Sequence, residues 1–131
     1  RLLLMRKVAN QLAGANAVHF RHLDIHQNQI QLHLLGLLYG ALAALGLELG
    51  PHVSPVVGIS FRERETAFGC WQGLFNAGVY TNLILPPAAP DGGSLIRCSV
   101  TAAHSTAQID AIIAAFDGVC RELRVGRYAA R

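Results

Sequence analysis

Arg97 is the residue of this 131-residue chain whose setting points most directly to chemistry, because it interrupts the apolar run Leu95–Val100. A second apolar run, Tyr80–Leu85, precedes it, and a loop with three prolines and two glycines separates the two runs. Prolines and glycines end regular structure, so this stretch is predicted to form a strand, a loop and a second strand. Since side chains alternate along a strand, Arg97 should share one face with Leu95 and Ser99.

An arginine in the middle of such a strand requires an anionic partner, because burying an unpaired guanidinium costs much free energy. The planar guanidinium can donate two parallel hydrogen bonds to a carboxylate, which makes a carboxylate the best-matched partner. The spacing alone leaves two interpretations of Arg97. It is either a structural charge, paired internally or exposed on a half-buried strand, or the binding group for an anionic ligand.

His19, His22 and His26 form a second candidate constellation. On a helix these three imidazoles would share one face, and three imidazoles can hold zinc with one position left open. A metal site also needs fixed hydrogen-bond partners behind its ligands, and the helical character of this stretch is weak. We therefore predict no metal site and interpret residues 1–30 as an unassigned N-terminal segment or linker.

The composition is that of one domain with a substantial core, since 52% of the residues are apolar. Charged residues make up 15%, below the usual share of about a quarter, which indicates a surface covered by a partner, another domain or a membrane. The net charge of +3 is scattered along the chain, whereas nucleic-acid binding requires a basic stripe. Three cysteines without a close pair favour a reducing compartment, and we expect a cytoplasmic protein.

Two features bear on whether the chain meets a membrane. Arg6 and Lys7 follow the apolar run Leu2–Leu4, and this run is too brief for a signal peptide. We expect a processed chain or one cut from a longer protein. The apolar stretch Leu32–Leu47 is a candidate anchor, but its uninterrupted core of about 14 residues is short of the roughly 20 that a span needs. We therefore expect a helix buried against protein.

Helical spacing appears three times in the chain. Residues 31–46 form the first predicted helix, with a left-handed cap at Gly46, and residues 62–78 form the second, with a cap at Gly78. Ser105 and Gln108 have the spacing of a capping box, which begins the third helix. The residues predicted to face the core are Leu32, Leu35, Tyr39 and Leu42 in the first helix, Ala67, Trp71, Leu74 and Phe75 in the second, and Ile109, Ile112, Ile113, Phe116, Cys120 and Leu123 in the third.

With a short strand at Pro55–Ser60, the predicted element order is helix, strand, helix, strand, strand, helix. This order predicts an α+β domain of two layers, in which helices cover one face of a small, mostly antiparallel sheet. We place the domain at residues 31–125 and a flexible tail at residues 126–131. The uncovered face carries Arg97 and should look towards something outside this chain.

A series of short motifs between Gly36 and Val125 resembles one known family. These motifs are Leu38-Tyr39-Gly40, Trp71-Gln72-Gly73-Leu74, Ala77-Gly78-Val79-Tyr80-Thr81-Asn82, Pro86-Pro87-Ala88-Ala89-Pro90, Leu95-Ile96-Arg97-Cys98-Ser99, Ala103-His104-Ser105 and Gln108-Ile109-Asp110. In this order they resemble the C-terminal small domain of the α-oxoamine synthases, in particular the serine palmitoyltransferase branch. These are pyridoxal-phosphate enzymes with the aspartate-aminotransferase fold (fold type I), so the resemblance implies their two-layer small domain.

The resemblance implies an acyltransferase that condenses an amino acid with an acyl-CoA thioester, with decarboxylation, as in sphingolipid biosynthesis. It implies pyridoxal 5'-phosphate as the cofactor of the full-length enzyme, a large cofactor-binding domain as partner, and a homodimer. In the family, the arginine that matches Arg97 grips the carboxylate of the amino acid, and such a clamp orients the substrate's bonds against the cofactor ring. By this analogy of site and fold, Arg97 is a substrate-binding residue.

The chain departs from the family's pattern in several places. Bacterial palmitoyltransferases carry a second arginine and a threonine where this chain has Leu85 and Ala89, so the amino acid is not specified. Lys7 is the single lysine, and it lacks the family's context for the lysine that holds the cofactor. We assign no catalytic or cofactor-binding residue to this chain and expect His104 to serve the turn before the last helix. A non-catalytic α+β interaction module is the alternative.

The missing lysine gives a direct prediction for the 131-residue chain mixed with pyridoxal phosphate. After dialysis the protein should be colourless, because no lysine in the family's context is present to bond the cofactor's aldehyde. Absorbance spectroscopy of the dialysed protein checks this. A yellow protein that keeps its absorbance band through dialysis would contradict the prediction.

Overall fold

The computed structural model describes residues 20–130, with the side chain of Gln29 and those from residue 31 onward. Its helices are α1 (Phe20–Ala44), α2 (Arg64–Asn76) and α3 (Thr106–Leu123), and its strands are β1 (Glu48–Leu49), β2 (Val56–Phe61), β3 (Asn82–Ile84) and β4 (Ser94–Ser99). The predicted order of elements is confirmed, and the two-residue strand β1 is an addition to it. Short 3₁₀ turns lie at Pro90–Gly92 and Gly126–Tyr128.

The strands of the described chain form one sheet in the order β1-β2-β4-β3, and every neighbouring pair is antiparallel. The helices α1 and α2 both pack on α3, and together they cover one face of the sheet. Along β2 and β4, buried residues alternate with less buried ones, which is the pattern of a sheet with one covered face. The predicted α+β class, with two layers and an antiparallel sheet, is therefore confirmed.

The core lies between the sheet and the helices. Its most deeply buried large side chains come from every element of the two layers except β1 and β3: Leu35, Leu38 and Leu42 from α1, Leu74 from α2, Ile109 and Cys120 from α3, and Ile59 and Ile96 from the sheet. The β-branched residues suit pleated strands and leucine suits helices. For the leucines of the helices and the isoleucines of the sheet, local preference and burial therefore agree.

The helix α1 extends further towards the N-terminus than the predicted helix, because it begins at Phe20. It ends at Ala44, and Gly46 takes the predicted left-handed conformation with a φ of 76°, which glycine adopts without steric cost. The prediction that Leu32 faces the core is wrong, since its side chain is 64% exposed. Leu34 is buried instead, so the buried stripe is rotated around the helix relative to the predicted one.

The three-histidine constellation falls at the start of α1. His19 lies outside the described residues, and the backbone of His22 and His26 is helical. Among the described residues, no group of three metal-ligating side chains is close enough to hold an ion. That part of the chain also contains no helix that is long and apolar enough to cross a membrane.

The helix α2 buries a different face from the one predicted. Leu74 is buried as predicted, but Phe75 is 53% exposed, so its assignment to the core is wrong. Cys70, one turn before Leu74, is the buried residue that sequence reasoning missed. Trp71 is half-buried, and its Nε1 donates a hydrogen bond to the carbonyl oxygen of Thr81 at 3.1 Å. This bond ties α2 to the segment that leads into β3.

The helix α3 begins with the predicted capping box. The Ser105 hydroxyl accepts a hydrogen bond from the N–H of Gln108 at 3.2 Å, and the side-chain oxygen of Gln108 accepts one from the N–H of Ser105 at 2.8 Å. Two otherwise unpaired N–H groups are thereby satisfied. Ile109 and Phe116 are buried as predicted, whereas Leu123 is 41% exposed and its assignment to the core is wrong.

Residues 126–128, which the sequence placed in a flexible tail, are held against the domain. The N–H of Arg127 donates to the carbonyl oxygen of Leu45 at 2.7 Å, and the Tyr128 hydroxyl donates to the Asp117 carboxylate at 2.6 Å. Gly126 has a φ of 61°, and a Cβ at this position would clash with the Leu45 oxygen. This glycine therefore marks a close contact between two segments.

The helices α2 and α3 approach each other closely at Gly73. A Cβ at this position would lie 2.9 Å and 3.1 Å from the two methyl groups of Val119. Val119 is buried, and as a β-branched residue it has little freedom to turn its methyl groups away. The contact therefore requires glycine at position 73, and it fixes α2 against α3.

The change Gly73→Ala should lower the free energy of unfolding by about 1 kcal/mol or more, because overpacking outweighs the gain in helix propensity. The matched change Gly118→Ala in α3 should raise it by up to about 1 kcal/mol, since a Cβ there meets no atom within 4 Å. Urea denaturation measures both changes. In a Val119→Ala background, Gly73→Ala should no longer destabilise the protein. If Gly73→Ala and Gly118→Ala stabilised the unaltered protein equally, the close contact at Gly73 would be contradicted.

Candidate functional site

The face of the sheet that points away from the helices carries the candidate site, and we call it the open face. The strand registers place the following residues on it: Glu48, Val56, Gly58, Ser60, Asn82, Ile84, Leu95, Arg97 and Ser99. Along β4, Ile96 and Cys98 are buried while Arg97 and Ser99 are exposed. The predicted alternation of this strand is therefore confirmed, and Arg97 lies on the open face.

Arg97 has a strand on either side. Directly opposite it lie Gly58 on β2 and Asn82 on β3, and directly opposed residues of antiparallel strands have Cβ atoms about 5 Å apart. We call these three residues the Gly58–Arg97–Asn82 row. Gly58 has no side chain of its own, and the side chain of Leu95 lies over it, since a Cβ at Gly58 would be 3.3 Å from Leu95 Cδ1.

The Arg97 guanidinium is exposed, and it forms no hydrogen bond or ion pair with any side chain that the structure describes. The ion pairs found among those side chains both involve Asp117, which contacts Arg121 at 2.8 Å and Arg127 at 3.2 Å. One of the structural roles considered for Arg97 was a charge paired inside the domain. No such ion pair is present within the described chain. All five N–H donors of the guanidinium are available to water or to a ligand.

The loop between β3 and β4 carries apolar side chains next to the sheet. Leu85 is half-buried, and its carbonyl oxygen accepts hydrogen bonds from the N–H groups of Ala88 at 2.9 Å and Ala89 at 3.2 Å. Ala89 is buried, and the peptide bond between Pro86 and Pro87 is cis. From residue 80 to residue 100 the sequence contains one cation, Arg97, so this hairpin presents a single positive charge.

The thiols of the domain are buried and protonated. Cys98 follows Arg97 but points to the covered face of the sheet, and burial raises the pKa of its thiol to about 11. Burial likewise raises the pKa of Cys70 to about 12 and that of Cys120 to about 11. Because the thiolate is the nucleophilic form of cysteine, none of these three residues is placed to act as a nucleophile. The prediction that Cys120 faces the core is confirmed.

His104 holds the turn between β4 and α3. Its Nδ1 accepts a hydrogen bond from the N–H of Thr101 at 3.0 Å and lies 3.1 Å from the Thr101 hydroxyl. The prediction that this histidine serves the turn is therefore confirmed. This bond fixes the chain just after β4. Within that strand, the buried Cys98 and the exposed Arg97 point to opposite faces of the sheet.

The described residues do not fit pyridoxal phosphate as a covalently held cofactor. A bond to the aldehyde of this cofactor needs a free amine, and residues 20–130 contain no lysine. Lys7 lies outside the described residues. The open face therefore offers a cation to an anionic ligand, but no described side chain that could attach the cofactor.

Sequence reasoning found Arg97 but missed its two neighbours in the row. Asn82 is a polar residue inside an apolar run, and Gly58 interrupts a predicted strand, so both were visible as signals. Their alignment with Arg97 depends on strand register, which a short turn can fix. The loop between β3 and β4 is too long to fix their register. Between β2 and β4 the chain passes through α2 and β3, so no turn fixes the register of that pair either.

The known proteins similar to this chain include serine palmitoyltransferases and 8-amino-7-oxononanoate synthases. No family model matches the chain. A serine palmitoyltransferase of Caulobacter vibrioides is 46% identical over 88 residues, which are 67% of this chain and 22% of that protein. An 8-amino-7-oxononanoate synthase of Trichlorobacter lovleyi is 38% identical over 93 residues, which are 71% of this chain and 23% of that protein. The chain thus spans less than a quarter of the length of these relatives.

The chain is also similar in fold to a solved structure. A serine palmitoyltransferase with pyridoxal phosphate as an internal aldimine matches with a TM-score of 0.71 and 33% identity, over 77% of this chain and 26% of that one. The fold matched is that of the C-terminal small domain. The two-layer arrangement described above is therefore shared with that domain.

The burial of the three thiols predicts that they resist labelling. In the native protein at mildly alkaline pH, Ellman's reagent should react with none of Cys70, Cys98 and Cys120, because the thiolate fraction is small and the sulfur atoms are covered. After unfolding in guanidinium chloride all three should react. The absorbance of the released thionitrobenzoate counts them, and rapid labelling of one thiol in the native protein would contradict the burial.

Proposed function

Since this chain is a relative of the α-oxoamine synthases and has the fold of their C-terminal small domain, we propose that it supplies the substrate-carboxylate clamp of a pyridoxal-phosphate-dependent acyltransferase. Pyridoxal phosphate is the cofactor of the full-length family. The proposed reaction condenses an amino acid with an acyl-CoA thioester, with decarboxylation. The clamp is Arg97.

The observation that carries the proposal is the unpaired Arg97 guanidinium on the open face. A cation that another protein side chain already holds would have to break that bond before it could bind a ligand. No described side chain pairs with Arg97. Its guanidinium can therefore bind a carboxylate without first breaking another contact. Two parallel charge-assisted hydrogen bonds give both strength and a fixed orientation.

Orientation is the contribution that such a clamp makes to catalysis. A carboxylate held at two points cannot rotate freely, so the remaining bonds at the adjacent carbon take a defined direction. The strand β4 is paired on both sides, with β2 and β3, and therefore gives Arg97 a rigid base. We assign the cofactor's attachment to a lysine outside the described residues, because none of these residues supplies an amine.

The open face also indicates the partner. Helices cover the other face of the sheet, and we propose that a large cofactor-binding domain of the same enzyme covers this one, with residues 31–125, extended by the start of α1, as the small domain. A cytoplasmic homodimer is the assembly we propose. Leu85 and Ala89 stand where bacterial palmitoyltransferases carry arginine and threonine, so Arg97 would bind the carboxylate as the one cation of its hairpin. Assignment to sphingolipid biosynthesis is likewise a proposal.

A second candidate function is a non-catalytic interaction module derived from such a domain. The absence of lysine from residues 20–130 favours it. The natural reading frame separates the two candidates, because the enzyme requires a lysine-bearing large domain upstream of this sequence. In the interaction module, the open face would bind a protein partner, and Arg97 would lack a small-molecule ligand.

In the full-length protein loaded with cofactor, Arg97→Ala should weaken amino-acid binding about a hundredfold or more, because a two-point charged contact is lost. Arg97→Lys should recover part of the loss, since it restores the charge but not the planar fork. Titration with L-serine measures the affinity, and the cofactor content should stay unchanged. The exposed Arg62 gives the matched control Arg62→Ala, and equal affinities for the two alanine variants would exclude Arg97 from the site.

A further inference from the structure

Asn82 is the neighbour of Arg97 whose chemistry the proposed function leaves unused. It lies directly opposite Arg97 in the antiparallel pair of β3 and β4, and the two side chains share the open face. Asn82 is half-buried, and within the described chain its side-chain amide forms no hydrogen bond. An amide and a guanidinium therefore stand side by side, and neither is paired to the rest of the domain.

The separation of these two residues allows both to reach one small ligand. Directly opposed residues have Cβ atoms about 5 Å apart, and a carboxylate offers about four lone-pair positions on its two oxygens. A bidentate guanidinium uses two of these positions. The remaining ones can accept a hydrogen bond from an amide N–H on the neighbouring strand.

Of the two described residues directly opposite Arg97, Asn82 is the one that has a polar side chain. On β2 the residue opposite Arg97 is Gly58, which has no side chain. The residues before and after Arg97 on the same face are Leu95, which is apolar, and Ser99, which extends the face along β4. Asn82 therefore sits across the strand pair as an uncharged donor next to the cation.

We infer that Asn82 is a second substrate-binding residue, whose Nδ2 donates a hydrogen bond to the carboxylate that Arg97 binds. This inference rests on the proposed function, because it needs Arg97 to bind a carboxylate. The pair carries one positive charge, which matches the single negative charge of a carboxylate. On one flank of Arg97 lies the amide of Asn82, and on the other the apolar Leu95 side chain lies over Gly58, so the polar contact from a neighbouring strand comes from Asn82.

The test compares L-serine with L-serinamide, in which a neutral amide replaces the carboxylate, as ligands of the full-length protein loaded with cofactor. Isothermal titration calorimetry gives the affinity for each ligand, and their ratio is the preference for the carboxylate. Asn82→Ala should lower this preference about tenfold, since one hydrogen bond to a charged group is lost. Asn82→Asp should lower it further, because the new carboxylate would pair with Arg97 and repel the ligand.

The control variant is Asn76→Ala, which removes an exposed asparagine side chain from the end of α2, in the helical layer behind the sheet. Its preference for L-serine should equal that of the unaltered protein. Cofactor absorbance and circular dichroism establish that each variant is folded, and Asn82→Asp, which is nearly isosteric, carries the test if Asn82→Ala does not fold.

The outcomes separate this inference from the proposed function. A reduced preference in the Asn82 variants, together with its loss in Arg97→Ala, supports both. An unchanged preference in both Asn82 variants, with loss in Arg97→Ala, overturns the inference on Asn82 and leaves the role of Arg97 standing. An unchanged preference in Arg97→Ala overturns the proposed function and the inference with it.

Discussion

The alternation of side chains along β4 is the constraint on which the rest of the site depends. Ile96 and Cys98 are buried under the helices, so the residue between them must point the other way. A slip of one residue in register would place Arg97 in the core and Cys98 outside. The free energy of burying the apolar residues therefore fixes the direction of the guanidinium, although no described side chain pairs with it.

The helical layer keeps this strand in place from behind. Gly73 allows α2 to approach Val119 of α3, and Trp71 bonds to the segment before β3. The Thr101–His104 turn and the capping box at Ser105 fix the passage from β4 into α3. None of these contacts involves a residue of the open face. The open face needs no internal contacts of its own, and it is left available for a ligand or a partner.

Much of this architecture could be predicted from the sequence, because local signals and burial agree in it. The capping box at Ser105, the left-handed glycine at Gly46 and the orientation of Arg97 each follow from a local rule. The wrong assignments of Leu32 and Phe75 share one cause, whereas Leu123 is the last residue of α3 and is exposed at its end. Helical spacing shows that a helix has an apolar stripe, but two adjacent stripes of similar hydropathy compete when the helix is apolar on several sides. Which residues lie opposite Arg97 could not be predicted, because strand register depends on tertiary pairing.

The proposed role of this domain depends on the contact between Arg97 and a carboxylate from outside the domain. A crystal structure of the full-length protein with a bound amino acid tests it most directly, through the distances from the guanidinium nitrogens to the ligand's carboxylate oxygens. We expect two parallel contacts of about 2.7–2.9 Å. A guanidinium bonded to an aspartate or glutamate of the protein, with the ligand's carboxylate held elsewhere, would contradict the account.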